Sequence, residues 1–378
     1  MTQQMPHERL KAMPTEELIN ELQSFGVRLA DPRNGGISRR GGAGPSDHTP
    51  FTIDGSTVMV PVHNAPAFES PYLVERPDAA GRSRISRDGI VLADVSFPLR
   101  PKFYELSTAD GIPYSKIATL HGRDVLATTV LQTCIRYQSR TKTCQFCAIG
   151  QSLAAGRTVE HKTPAQLAEV AKAAVELDGI SHMVMTTGTP RTADRGAAIL
   201  AESAAAVKGV VDLPIQAQCE PPDDFAWFGR MKDAGVDALG MHLEVIGPDV
   251  RQRIMPGKAQ VSIDDYFEAF AAAVPVFGRG QVSTYILAGL GDSPAKILAT
   301  SQRLIDIGVY PFVVPFVPIA GTPLESHPTP PPSFMHDILR PLADMLRDGG
   351  LRASDIKAGC GKCGACSALS TYERRASA

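Results

Sequence analysis

Seven cysteines carry the chemistry most visible in this chain. Three of them, Cys134, Cys144 and Cys147, lie in TCIRYQSRTKTCQFCAIG, separated by nine residues and then by two. Three more, Cys360, Cys363 and Cys366, lie in GCGKCGACS at uniform two-residue gaps, and Cys219 stands alone. Zinc fingers and ribbons draw four ligands from two close pairs. The first group offers three thiols and no fourth ligand at pair spacing, since His121 and His161 are isolated. Soft thiolates in threes suit iron–sulfur chemistry, and a [4Fe–4S] cluster held by three of them leaves one iron open for catalysis. Structural zinc or unrelated thiols are the alternatives. The even spacing of the tail group is that of ferredoxin-type ligands, and its Gly and Ala residues let backbone wrap an inorganic core. An auxiliary iron–sulfur cluster is expected there, with Lys362 offsetting part of the thiolate charge. Zinc with a distant His, or a disordered tail with free thiols, are the alternatives.

The rest of the composition narrows the class. With 378 residues, 43% hydrophobic and 21% charged, the chain is long enough for two or three domains or one large α/β barrel with additions. A net charge of −2 and only 6% aromatic residues argue against a nucleic-acid surface. No apolar run approaches the ~18 residues of a membrane span. The opening MTQQMPHERLKAMPTEELINEL has charges where a signal peptide is apolar, so a cytoplasmic protein is expected.

These cysteines need a scaffold. Met13–Phe25 reads as an amphipathic helix with Thr15 as N-cap and Gly26 as its stop. Asn34–Pro50 is Gly- and Pro-rich and reads as loop, its RRGG a solvated turn or an anion cradle. Short strands are expected at Thr57–Val62, Gly89–Val95 and Lys102–Leu106. Strand and helix patterns then alternate. Strands are expected at Thr128–Ile135, His182–Thr187, Pro214–Glu220, Ala238–Val245, Val282–Gly289 and Phe312–Val317. Helices fall between them at Pro164–Leu177, Ala197–Lys208, Asp223–Ala234, Ile263–Phe277 and Pro294–Ile307, several ending in Gly. Six βα units imply a parallel sheet, either a partial barrel or a doubly wound open sheet. A Pro-rich link, Thr322–Pro332, leads to a last helix near Ser333–Arg347. The expected division is 1–120 (accessory α+β region), 121–330 (barrel) and 331–378 (C-terminal helix and Cys-rich tail).

The thiol-rich loop after the first barrel strand resembles the radical S-adenosylmethionine (SAM) superfamily, whose cluster is held by three cysteines. The usual first gap of three residues is nine here, while the two-residue second gap and the aromatic Phe146 before Cys147 are kept. The resemblance implies that the open iron binds the amino and carboxylate groups of SAM. MVMTTGTP (Met183–Pro190) stands where the superfamily contacts the SAM amino group, which implies Thr187, Gly188 and Thr189; the acidic residue usual there is absent. GMHLEVIG (Gly240–Gly247) is similar to the Asn-Leu-Asp of biotin synthase, which implies SAM contacts from His242 and Glu244. LAGLGD and FVPIAGTPLE resemble the fifth- and sixth-strand signatures of the same relatives. The match runs from about Leu126 to Glu325. More narrowly, the chain is similar to the radical SAM family of nitrilase-containing bacterial gene clusters. The fold class expected is therefore α/β: a partial (β/α)6 TIM-type barrel with a small α+β N-terminal domain and a Cys-rich C-terminal tail.

Strand alternation nominates the interior face. It places Gln216, Gln218 and Glu220 inward and Ile215, Ala217 and Cys219 outward. It also places His242, Glu244, Gln281, Ser283 and Tyr285 inward, and Leu239, Met241 and Leu243 outward. Gln218, Glu220 and Tyr285 are thus candidates for holding a substrate. Cys219 is a candidate hydrogen-atom donor or simply a small core residue. The function expected is reductive cleavage of SAM and hydrogen abstraction from a small polar metabolite, with an electron donor such as flavodoxin or ferredoxin. Sulfur insertion using the tail cluster is an alternative within that class, and a non-catalytic zinc protein is one outside it. A Rossmann-type methyltransferase is disfavoured, because no Gly-rich turn follows a first strand.

Overall fold

The computed structural model describes residues 13–30, 47–137, 139 and 141–376. The RRGG segment and the first twelve residues lie outside these. Six short strands form the N-terminal sheet: β1 (Arg28–Leu29), β2 (His48–Ile53), β3 (Ser56–Pro61), β4 (Tyr72–Val74), β5 (Arg82–Arg87) and β6 (Ile90–Ser96), in the order β1-β4-β5-β6-β2-β3. Seven more form the second sheet: β7 (Thr119–His121), β8 (Val125–Thr129), β9 (His182–Thr186), β10 (Ile215–Gln218), β11 (Ala238–Gly240), β12 (Val282–Ala288) and β13 (Val309–Pro315). Their spatial order runs from β13 to β7 without a crossover, and β8 to β13 are all parallel, with β7 antiparallel to β8.

This sheet curls. Gln216 on β10 donates to Ser283 on β12, over the intervening β11, at 3.0 Å. A single interior cavity also touches Ala127, Val184, Gln218, Tyr285 and Pro315 on five of the parallel strands and His242 just past the end of β11. Six parallel strands whose outermost members stay unpaired with each other make a partial (β/α)6 barrel. The outward face packs on helices, and Ile215, Ala217, Leu239, Met241 and Leu243 are fully buried there. Each large side chain among them contributes about 1.5–3 kcal/mol by leaving water.

Local rules account for the helix ends. Thr163 caps Pro164–Asp178 through a capping box with Gln166, Pro164 fills the first turn, and Gly179 ends the helix at φ +65°. Helices Ala197–Lys208 and Ile263–Phe277 coincide with the sequence expectation, while Ala226–Asp233 starts three residues late.

Other expectations fail. The first barrel strand is Val125–Thr129, not Thr128–Ile135, because buried Lys162 ties off the strand end by donating to the Thr129 carbonyl at 2.7 Å. Ala238–Val245 is strand only to Gly240, for a reason that lies in the site itself. Lys102–Leu106 forms a 3₁₀ turn at Lys102–Glu105, with the Lys102 and Phe103 amides donating to the Asp178 carboxylate. Thr15 does not cap its helix; Pro14 occupies that position, and the Thr15 hydroxyl donates to Asp54. Residues 48–50, expected as loop, begin β2 opposite β3.

The tail is folded, which overturns the disordered alternative. After helix Pro332–Asp348 the chain crosses the N-terminal end of the barrel. There it forms the short helix Cys360–Cys363 and then Leu369–Ala376. The Ala365 carbonyl accepts from Met59 N at 2.7 Å and from Gln23 Nε2 at 3.1 Å, joining the tail to the N-terminal region. Glu373 accepts from the Tyr310 hydroxyl and from Ala353 N.

Candidate active site

The loops leaving the C-terminal ends of the barrel strands converge on an upper cavity of about 260 Å³. Cys134, Cys144 and Cys147 line it, together with Phe146, Thr187, Gly188, Thr189, Cys219, Glu220, His242 and Glu244. Nine residues separate the first two thiols in sequence, but Ile135–Tyr137 turns back at once, with Tyr137 N bonded to the Cys134 carbonyl. Gly188 is required by closeness: a Cβ there would stand 2.1 Å from the Thr133 carbonyl oxygen.

Burial raises the Cys144 pKa well above its ordinary value, with the Glu244 and Cys147 charges adding to it. Burial likewise pushes Cys147 up to about 12, with a contribution from Cys134. Thiolates that repel one another in a desolvated pocket are stabilised by a cationic core, so the donor set fits a metal cluster. Among the described residues no three His, Cys, Asp or Glu side chains close on a single metal point. One tetrahedral ion holds sulfurs about 3.8 Å apart, whereas a [4Fe–4S] core takes each cysteine on a different iron and keeps them further apart.

Two buried ion pairs frame this cavity, and their cations were not singled out in the sequence. Arg136 grips Glu220 with Nε–Oε1 at 2.8 Å and Nη2–Oε2 at 2.6 Å, and the Thr189 hydroxyl adds a third bond to Glu220 at 2.9 Å. Burial alone would raise the Glu220 pKa, but Arg136 and Lys258 outweigh it and hold the carboxyl below its usual range. Glu220, expected to hold substrate, lines the cavity with its carboxylate engaged by Arg136 and Thr189. Lys258 Nζ stands 2.6 Å from Glu244 Oε2. Burial opposes that ammonium, and Glu244 foremost among its neighbours keeps it charged. The sequence signal for Arg136 was a charged residue in the loop after the first barrel strand, whereas Lys258 opens the 3₁₀ turn Lys258–Gln260 behind helix Pro248–Ile254.

The break in β11 is built by side chains. His242 Nδ1 accepts the Tyr285 amide at 3.2 Å and Thr284 Oγ1 accepts the Leu243 amide at 2.9 Å, replacing ladder bonds. Buried Arg251 donates to the Leu243 and Val245 carbonyls. Glu244 then takes a left-handed conformation, φ +59°, which is strained for a side-chain residue. Because Nδ1 accepts, the His242 proton sits on Nε2. Burial, with Lys258, pushes His242 down to about 3, so the ring is neutral.

Below lies a second chamber of about 310 Å³, sharing Phe146, Thr186, Gln218, His242, Glu244 and Ile319 with the first. Its floor is the tail: Cys360, Cys363 and Cys366 all face it, as does Tyr285. Gln218 Nε2 donates to Cys360 Sγ at 3.2 Å, and Cys360 N donates to Gln216 Oε1 at 3.2 Å. Burial, then the Cys366 and Cys360 charges, raise the Tyr285 pKa well above normal. Lys362, beside Cys363 in sequence, donates from Nζ to the Ile356 carbonyl at 3.1 Å. Cys219 packs in the core as alternation requires, yet it also lines the upper cavity, where burial pushes its thiol up to about 12.

The radical SAM superfamily model matches residues 141–304, a span that takes in Cys144 and Cys147 and begins after Cys134. Residues 141–304 are thus similar to the radical SAM superfamily. That likeness implies an enzyme that uses a [4Fe–4S] cluster and SAM. Bacteriochlorophyllide c C-7(1)-hydroxylase of Chlorobaculum limnaeum is 32% identical over 136 residues, 35% of this chain and 34% of that protein. The chain thus spans about a third of that curated relative's length. Among solved structures, methylornithine synthase aligns with a TM-score of 0.45 at 18% identity, over 66% of this chain and 68% of its own. A radical SAM methyltransferase from Sphaerobacter thermophilus aligns with a TM-score of 0.43 at 17% identity, over 76% of each chain.

Proposed function

We propose that Cys134, Cys144 and Cys147 hold the radical SAM cluster and that the reaction takes place in the chamber between these thiols and the tail. The observation that carries this reading is the continuous interior, with one cysteine trio at its mouth, the other at its floor, and Gln218, His242 and Glu244 between them. A cluster bound at the upper trio supplies the electron, drawn from a donor such as flavodoxin or ferredoxin, that splits SAM into methionine and a 5′-deoxyadenosyl radical. The protein's own residues do the rest. Thr187, Gly188 and Thr189 border the SAM site, and the Lys258–Glu244 and Arg136–Glu220 pairs hold fixed charge beside it. The neutral His242 ring offers an Nε2–H donor rather than a cation.

The lower chamber sets the substrate class. Ala127, Val184, Leu287, Phe316 and Val317 wall it, with Gln218, His242 and Tyr285 as polar contacts. That lining fits a small metabolite with an apolar body and one or two polar groups. The walls align one C–H bond and keep water away from it. Cys219, a protonated thiol at the upper wall, returns a hydrogen atom to the substrate radical, and the thiyl it leaves takes an electron from the external donor and a proton from solvent.

Anaerobically reconstituted protein with reductant and SAM is expected to form 5′-deoxyadenosine. Continued formation by the C134A/C144A/C147A variant would overturn the assignment. The position of Cys360, Cys363 and Cys366 on the chamber floor also favours a second reading, in which a tail cluster gives sulfide to the substrate. Labile sulfide that falls during one turnover would support insertion; unchanged sulfide would favour a redox, cleavage or rearrangement reaction.

A further inference from the structure

The three tail thiols leave one ligand unnamed, and the fold brings a candidate from the other end of the chain. His121 closes β7, the antiparallel edge strand, and its Nε2 stands 3.7 Å from Cys366 Sγ although the two residues are 245 apart in sequence. The turn behind it presses on the same loop: a Cβ added at Gly122 (φ +64°) would meet Cys363 Sγ at 3.6 Å and the Ala365 side chain at 3.8 Å. His121 is buried and lines the chamber floor beside all three thiols.

A tetrahedral metal bonded at about 2.3 Å to sulfur and 2.0–2.1 Å to imidazole nitrogen holds the two donors about 3.6 Å apart. Cys366 and His121 meet as a sulfur–imidazole hydrogen bond at 3.7 Å, a spacing that two donors on one metal atom also take. Cys360 and Cys363, three apart on a single helical turn, share a face and form a second pair. The four do not close on one point, since no group of three or more such side chains does so among the described residues. Two pairs suit two metal atoms, and a [2Fe–2S] core takes two protein ligands on each iron.

We propose that His121 is the fourth ligand of the tail site, sharing one iron of a [2Fe–2S] cluster with Cys366 while Cys360 and Cys363 hold the other. This rests on the reading of the tail as an iron–sulfur site. It adds that ligation ties the barrel edge to the tail across the chamber floor. Replacing one thiolate by a neutral imidazole raises the potential above that of an all-cysteine site.

The test uses the full chain carrying C134A/C144A/C147A, so that only the tail site loads, labelled with ¹⁵N-histidine and reconstituted anaerobically. About two iron and two sulfide per chain are expected, with a strong nitrogen hyperfine coupling in the pulsed EPR of the reduced protein. Adding H121C should keep the iron and sulfide and abolish the coupling. A cluster that shows no coupling with His121 in place, or coupling that survives H121C, overturns the ligand assignment and leaves the tail cluster standing. The first of these needs no variant at position 121. Absence of iron and sulfide, or zinc without sulfide, overturns the cluster reading and this proposal with it.

Discussion

The Arg136–Glu220 pair lends itself to a quantitative test. Both side chains are nearly inaccessible, 8% and 6% exposed, and two hydrogen bonds join them in parallel. With charge centres about 4 Å apart, an effective dielectric near 20 gives about 4 kcal/mol of attraction. Desolvation costs several kcal/mol per ion, so the intact pair contributes little net stability. Removing one partner strands the other charge in the cavity wall. Arg136→Met and Glu220→Leu are each expected to lose about 3–5 kcal/mol, while the double variant should fall within about 2 kcal/mol of wild type. Urea unfolding of all four proteins closes the cycle. Single losses that add up in the double variant would refute the pairing argument. Product formation should not return in the double variant, because the guanidinium bordering the upper thiols is gone.

Three further outcomes follow from the geometry. Gly359 holds φ +112° and ψ −170°, a region open to glycine alone, and a Cβ there would lie 2.1 Å from Gln216 Cδ. Gly359→Ala should therefore cost about 1–3 kcal/mol in backbone strain and lower iron retention at the tail, as measured by metal analysis. Buried His182 is pushed down to about 4, chiefly by burial and with Lys362 adding to it. Because its folded pKa lies below the ordinary ~6.5, its contribution is full above pH 6.5 and is lost as pH falls toward 4. It should remove about 2 kcal/mol by pH 5, a slope that His182→Leu flattens in urea midpoints; an unchanged slope would count against it. Lys258→Met leaves Glu244 without its 2.6 Å partner, so SAM binding measured by calorimetry should weaken at least tenfold; unaltered affinity would remove the pair from the site.

Much of the fold was legible because it is written locally. Thr163–Pro164 and the glycines after helices are capping chemistry, and they placed helix ends to within a few residues. Alternation along Ile215–Glu220 and Leu239–Glu244 separated interior from helix-facing side chains, since a strand presents opposite faces at successive residues. The failures occurred where distant groups override local pattern. Lys162 ends β8 early, Asp178 coils Lys102–Glu105, and His242, Thr284 and Arg251 together break β11. Cys219 and Glu220 show the same limit: alternation gave each a direction, but only packing gave Glu220 its arginine.

The chain alone thus determined which atoms could do chemistry: two trios of thiols at cluster spacing and a run of βα units to carry them. What the tertiary structure decided is their relation. Cys134, Cys144 and Cys147 lie at one end of the interior and residues 360–366 at the other, with His121, Arg136 and Lys258 brought in from separate turns. Ligand spacing within a loop is set by a few bonds, so sequence records it. The distance between loops is set by how a sheet curls and what its interior will admit, which only the folded packing determines.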